Sequence, residues 1–169
     1  AKSTILFLTS ALKSLILSLY QAFSLNSLTL SFRAFILYIC LQILYFCENN
    51  ENIKWFYKNG ESSNDYFSIV YIDAVNHKWH FYPDFIVCYK DNKIWIIETK
   101  GGENADGESK NIDIKVENKF EALKQYANKY NVNWGFVRDY DKNNSLYLCN
   151  TEYTEDMENE NWKLLNKIF

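Results

Sequence analysis

The chain has 169 residues and a formal net charge of −3; 18% of its residues are aromatic, and only 5 are Gly and 1 is Pro. This is enough for one domain with a sizeable core, and it excludes a linker-rich or disordered chain. The acidic balance excludes the global basic signal of a free-standing nucleic-acid binder, so such a ligand has to be drawn by a local patch or delivered by a partner domain.

No Asp or Glu occurs before Glu48. Thr4 to Leu19 reads as an apolar helix interrupted by Lys13, and Leu28 to Cys47 as a longer one carrying a single charge, Arg33. Apolar runs of this length raise the question of a membrane span or a signal peptide. Lys13 breaks the first run, no small-residue cleavage site is clean, and Gln42 interrupts the second. Two helices buried in the core or against a further domain are therefore expected, and a membrane is not an expected partner. Residues 1–30 form an extra apolar helical segment on this reading, and the second helix runs from near Ser31 to about Glu48.

A short segment from Glu51 to Tyr57 follows, then a turn cluster from Lys58 to Asp65. Tyr66 to Asp73 is predicted as a strand with both faces largely apolar, and hence interior to the sheet. Residues from His80 to Lys100 make two runs rich in β-branched and aromatic side chains around Asp91-Asn92, the pattern of an antiparallel hairpin. Gly101-Gly102 lets the backbone leave the second strand sharply, and the polar run Glu103 to Asp113 reads as a loop. Lys115 to Tyr130 is an amphipathic helix with Val116, Phe120, Leu123, Ala127 and Tyr130 near one face. Val132 to Tyr140 is the next strand, with Trp134, Phe136 and Arg138 on one side and Gly135 and Val137 on the other. The step from hairpin through helix to this strand has the form of a right-handed βαβ crossover, which makes the two strands parallel. A last strand from Ser145 to Asn150 and a helix from Asp156 to Phe169 close the chain, with Thr154 as its N-cap and Trp162, Leu165 and Phe169 as its buried side.

Cys40, Cys47, Cys88 and Cys149 show no CxxC spacing and read as reduced, mostly buried thiols of a cytoplasmic protein. His77 and His80 have no third nitrogen or sulfur ligand with them and read as polar residues of a loop and a strand start.

The chemistry-bearing residues lie on the hairpin. Asp84 stands near the start of its first strand and Glu98 and Lys100 near the end of its second, so folding brings all three to the open end. Carboxylates beside a lysine at a strand end are seldom there for packing. Two carboxylates a few ångströms apart repel unless a hard cation lies between them, and Mg²⁺ takes one or two carboxylates while keeping several waters. Glu98 and Lys100 point to one face because strand side chains alternate, so Lys100 can orient a nucleophile or counter charge built up in a transition state. Thr99 faces the other way, which leaves its carbonyl as a further metal ligand.

Register decides whether the acids meet. A two-residue turn at Asp91-Asn92 would put Asp84 opposite Thr99. A three-residue loop Lys90-Asp91-Asn92, with Asn92 left-handed, pairs Tyr89 with Lys93 and sets Asp84 opposite Glu98. A bulge beside Pro83 would serve equally. One of these two devices is expected.

Pro83-Asp84 and Glu98-Thr99-Lys100 resemble the motif of the PD-(D/E)XK nuclease superfamily. Tyr82-Pro-Asp-Phe-Ile-Val87 followed by Trp95-Ile-Ile-Glu-Thr-Lys-Gly-Gly102 is similar to the endonuclease region of type III restriction enzyme Res subunits. The likeness extends through Lys54-Trp-Phe-Tyr-Lys-Asn-Gly60, Glu117-Asn-Lys-Phe-Glu-Ala-Leu-Lys-Gln-Tyr126, Trp134-Gly-Phe-Val-Arg138 and Asn150-Thr-Glu-Tyr-Thr-Glu155, covering roughly Glu48 to the C-terminus. The resemblance implies a restriction-endonuclease-like α/β core over residues 31–169, a central mixed β-sheet flanked by helices.

It further implies a Mg²⁺-dependent DNA endonuclease, with Mn²⁺ as a substitute, leaving a 5′-phosphate and a 3′-hydroxyl. Asp84 and Glu98 would hold the metal with the Thr99 carbonyl, and Lys100 would position or help deprotonate water. In many relatives the helix after the motif supplies Gln or Lys to the phosphate, which singles out Lys119 and Gln125. The helix before the hairpin often adds an acid, for which Glu48 and Glu51 are the nearest choices. The implied partners are DNA, a helicase/ATPase domain and a modification methyltransferase subunit. No Walker A sequence is present to supply the motor. The alternatives are a non-catalytic or membrane-associated interaction module that keeps the fold, and a ribonuclease using the same residues.

Overall fold

A computed structural model describes residues 32–60, 66–73, 75–100, 116–140 and 145–169. The expected apolar segment 1–30, the sharp exit at Gly101-Gly102 and the polar loop 103–113 lie outside the described residues. Among those described, no helix is long and apolar enough to cross a membrane.

The elements in chain order begin with helix α1 (Phe32–Asn49) and strand β1 (Ile53–Lys58). Strands β2 (Ile69–Ile72), β3 (Lys78–Phe81), β4 (Phe85–Tyr89) and β5 (Ile94–Thr99) follow. Then come helix α2 (Val116–Tyr130), strands β6 (Asn133–Tyr140), β7 (Ser145–Cys149) and β8 (Lys163–Leu164), and the single turn α3 (Leu165–Ile168). Six strands make one sheet in the order β1-β4-β5-β6-β7-β8, and β2 and β3 pair apart from it. The β5/β6 pair is parallel, as a βαβ crossover requires, and its neighbours are antiparallel. The protein is thus α/β with a mixed central sheet flanked by helices.

Strand alternation explains why both faces of the sheet are covered. Phe85, Val87, Ile97, Val137 and Leu148 face α1, whose Ile39, Ile43 and Cys47 recur at four-residue spacing and meet them. Ile96, Trp134, Phe136 and Cys149 face the other way, against Phe120, Leu123 and Ala127 of α2.

The hairpin uses the first of the two expected devices. The Tyr89 N–H donates to the Lys93 carbonyl at 2.9 Å and the Asn92 N–H to the Tyr89 carbonyl at 2.9 Å. Asn92 has φ 64°, the left-handed conformation that closes a three-residue loop. The ladder then runs from Cys88 opposite Ile94 to Phe85 opposite Ile97, and one further step sets Asp84 opposite Glu98.

Two expectations fail. β2 is not interior: among the described residues it pairs only with β3, and Val70 and Ile72 are 54% and 59% exposed. The chain between β3 and β4 runs through buried Pro83, which has no N–H to continue a ladder, so the arm from His80 splits between two sheets.

The helix expected over Asp156–Phe169 is also absent apart from α3. Side chains there satisfy nearby backbone instead: Thr154 Oγ1 accepts from Asp156 N–H at 3.2 Å, Asp156 from Glu158 N–H at 3.0 Å, and Asn159 from Asn161 N–H at 2.9 Å. Such local bonds compete with the helix ladder. Thr154 therefore holds a turn, and Trp162 and Leu165 are buried on opposite faces of the sheet.

Gly135 sits in β6 opposite Ile97, under the side chain of Leu148. An added Cβ would stand 2.5 Å from Leu148 Cγ. Gly135→Ala is expected to cost about 1–3 kcal/mol by overpacking, measured by urea unfolding. Leu148→Ala should lower that cost in the double variant; strict additivity would show that the contact is not the cause.

Candidate active site

Asp84 lies at the bend just before β4. Its Oδ1 accepts from Lys58 Nζ at 2.8 Å, and its Oδ2 accepts from the Thr99 N–H at 2.9 Å and the Thr99 hydroxyl at 2.5 Å. Lys58 ends β1 opposite Phe85, with its ammonium 5.1 Å from that ring's centroid. Thr99 ends β5 and turns its hydroxyl toward Cys40 of α1. Cys40 is a neutral thiol, its pKa pushed up to about 11, mainly by burial and further by the charge of Asp84.

The backbone carrying Asp84 is clamped by Asn59, a buried residue. Its Nδ2 donates to the carbonyls of Phe67 at 2.7 Å and Pro83 at 2.9 Å, its Oδ1 accepts from the Phe67 N–H at 3.1 Å, and its own N–H donates to the Asp84 carbonyl at 2.8 Å. Every polar group of that amide has a use, which holds the Pro83-Asp84 step against the end of β1.

Glu98 projects from the other face of β5. Its Oε1 accepts from Lys100 Nζ at 2.7 Å, both side chains being buried, and Lys100 Nζ lies 5.3 Å from the Phe136 ring centroid. Its second oxygen, Oε2, is buried with no hydrogen-bond partner among the described residues. Burial pushes the Glu98 pKa up to about 7; Asp84 adds to the rise, while Lys100 and Lys119 oppose it.

The open end of the hairpin thus gathers Asp84, Glu98, Thr99 and Lys100, on two sides of one strand end. Glu98 and Lys100 face α2. The Asp84 carboxylate leans toward Lys58 and Thr99 on the α1 side, although it stands opposite Glu98 in register and its charge is felt there. Pro83 is the reason, because a residue at a bend is not held to the pleat's alternation.

Lys119, in the first turn of α2, is half-buried and its charge reaches Glu98. Gln125 is not brought to this site. At 100° per residue it stands about 240° round the helix from Lys119, exposed, with Nε2 3.1 Å from Glu121 Oε1. Glu48 and Glu51 lie at the far end of β1, where Asn52 meets Lys90 beside the hairpin turn. A strand of that length separates them from Asp84 by on the order of 15 Å.

His77 is 3.9 Å from Asp73, and His80 is 3.1 Å from Ser68 on the exposed β2-β3 ribbon. No group of three His, Cys, Asp or Glu poised for a metal occurs among the described residues, and all four cysteines are free and buried. Sequence reading passed over Lys58 and Asn59 because they open a run of turn-forming residues. The signal that could have found them is a lysine closing a strand next to the segment that carries Pro83-Asp84.

No protein-family model matches the chain, and no curated protein or solved structure matches it.

The shift at Glu98 has a sign that can be measured. An unfolded carboxyl titrates near 4.5, so between that pH and about 7 the native state binds more protons and stability falls as pH rises. The whole penalty, about 3 kcal/mol, is present above pH 7. Glu98→Gln is expected to abolish this slope between pH 4.5 and 8 in urea titrations. The slope is the readout, since Gln also strips Lys100 of its counter-charge. A flat wild-type profile would contradict the burial argument.

Proposed function

We propose that the chain is a Mg²⁺-dependent endonuclease domain that hydrolyses DNA phosphodiester bonds, after the pattern of PD-(D/E)XK nucleases and of the endonuclease region of type III restriction Res subunits. The observation that carries this reading is the Glu98 carboxylate, buried beside Lys100, opposite Asp84, with one oxygen unpartnered among the described residues. A buried acceptor without a donor is costly, and a hard cation is a partner that would satisfy it. The mixed sheet flanked by helices agrees with the architecture this reading needs.

Glu98 Oε2 and the Asp84 carboxylate would hold the ion, helped by the carbonyl of Thr99. When bound, the ion supplies Lewis-acid polarisation of the phosphoryl group. Lys100, oriented by Glu98, would position the attacking water or counter charge on the phosphate in the transition state. Lys119 would contact the phosphate from the first turn of α2, a role that Gln125 does not share. Attack of water at phosphorus breaks the bond to the 3′ oxygen, leaving a 5′-phosphate and a 3′-hydroxyl. With a net charge of −3 the domain should hold DNA weakly and without sequence preference, which suits delivery by a helicase/ATPase domain and a modification subunit.

A second reading, an interaction module with the fold but no activity, is favoured by one observation: both oxygens of Asp84 already have donors, from Lys58 and Thr99. Plasmid cleavage with Mg²⁺ or Mn²⁺ separates the two. Wild type is expected to nick and linearise DNA with ligatable ends, and Asp84→Ala and Lys100→Ala to lose on the order of 10² in rate or more. Equal rates in all three proteins would refute the assignment, and a folded wild type without activity would favour the second reading. Preferential cleavage of end-labelled RNA would turn the assignment toward a ribonuclease.

A further inference from the structure

The Asp84 carboxylate is satisfied very differently at its two oxygens. Oδ2 is gripped by two donors of one residue, Thr99, whose backbone is locked in β5. Oδ1 is met by the ammonium of Lys58, which sits at the end of a flexible four-carbon stem and also lies 3.3 Å from the Asn59 carbonyl. The Lys58 side chain is 35% exposed against 17% for Asp84, so it is the more solvent-accessible member of the pair. An ion taken up at Oδ1 would meet that ammonium there. A divalent cation and an ammonium at one carboxylate oxygen repel each other.

We propose that Lys58 is a third functional lysine of this site: it neutralises Asp84 while no divalent ion is bound, and is displaced by the ion onto a phosphate of the nucleic-acid substrate. This inference rests on the nuclease reading and adds to it a residue outside the motif.

Position supports the second half of the exchange. Lys58 stands on the α1 side of the strand end, and Lys100 and Lys119 bear on Glu98 from the α2 side. A phosphodiester laid across the strand end would meet ammonium groups on both flanks. The Asn59 clamp keeps the base of the Lys58 stem in place, so the exchange needs only side-chain torsions and leaves β1 where it is.

The test uses the full chain, with Mn²⁺ binding followed by electron paramagnetic resonance and cleavage of a short duplex at saturating Mn²⁺. Lys58→Met should tighten Mn²⁺ binding by roughly fivefold, the factor a partly exposed ion pair is worth. It should also raise KM for the duplex with little change in kcat. Lys58→Arg, whose guanidinium grips a carboxylate more firmly, should weaken Mn²⁺ binding and keep the duplex KM near that of wild type. A folding defect would weaken both variants alike and so cannot imitate this opposition. Equal Mn²⁺ affinity in wild type and Lys58→Met, or weakening in both variants, would overturn the role of Lys58 and leave the nuclease reading standing. No Mn²⁺ binding by wild type would overturn both.

Discussion

Everything at the open end of the hairpin depends on one left-handed residue at its closed end. Side chains on a strand repeat every two residues, so a slip of one would exchange the two faces of β4 against β5. Asn92 adds the third loop residue that sets Asp84, rather than its neighbour, opposite Glu98. The same register sends Phe85, Val87 and Ile97 to α1 while Ile96 turns to α2. With both faces of the sheet buried, a shifted register would expose a large part of the core, and this holds the acids where they are.

The register leaves one freedom, and Pro83 uses it. Without an N–H to give, Pro83 ends the ladder and lets Asp84 lean off the face that alternation would assign. Asn59 fixes the backbone there, and Lys58 and Thr99 take the carboxylate. The result is an asymmetric pair of acids. Asp84 is fully partnered, and Glu98 is buried, drawn toward its neutral form and short of a donor at one oxygen among the described residues. Lys58, Lys100 and Lys119 all bear on these two acids, which offsets their charge at the strand end.

Much of this was legible in local pattern. A long apolar run located α1, helical spacing located α2, two runs of β-branched and aromatic residues around Asp91-Asn92 located the hairpin, and strand-helix-strand order implied that β5 and β6 are parallel. The residues at the hairpin's open end followed from spacing alone. What was missed has a common cause. Val70 and Ile72 are apolar but exposed, because β2 joins a two-stranded ribbon whose inner face already fills the space beside α2. From Thr154 to Asn161 the start of the helix expected to bury Trp162, Leu165 and Phe169 is overruled by Asp, Asn and Thr side chains that bond to nearby backbone. In both places partners remote in sequence, or bonds too local to leave a period, decided the outcome.

The sequence by itself determined which residue types stand near the hairpin's open end and that a three-residue loop, or a bulge beside Pro83, must bring Asp84 opposite Glu98, since alternation and turn chemistry act within a few residues. Only the tertiary structure decided what each acid touches. Lys58 and Asn59 reach Asp84 from a strand more than 20 residues earlier, and the burial of Glu98 needs α2 and β6 folded over it. Desolvation and ion pairing depend on distances between segments, and no local pattern in the chain encodes them.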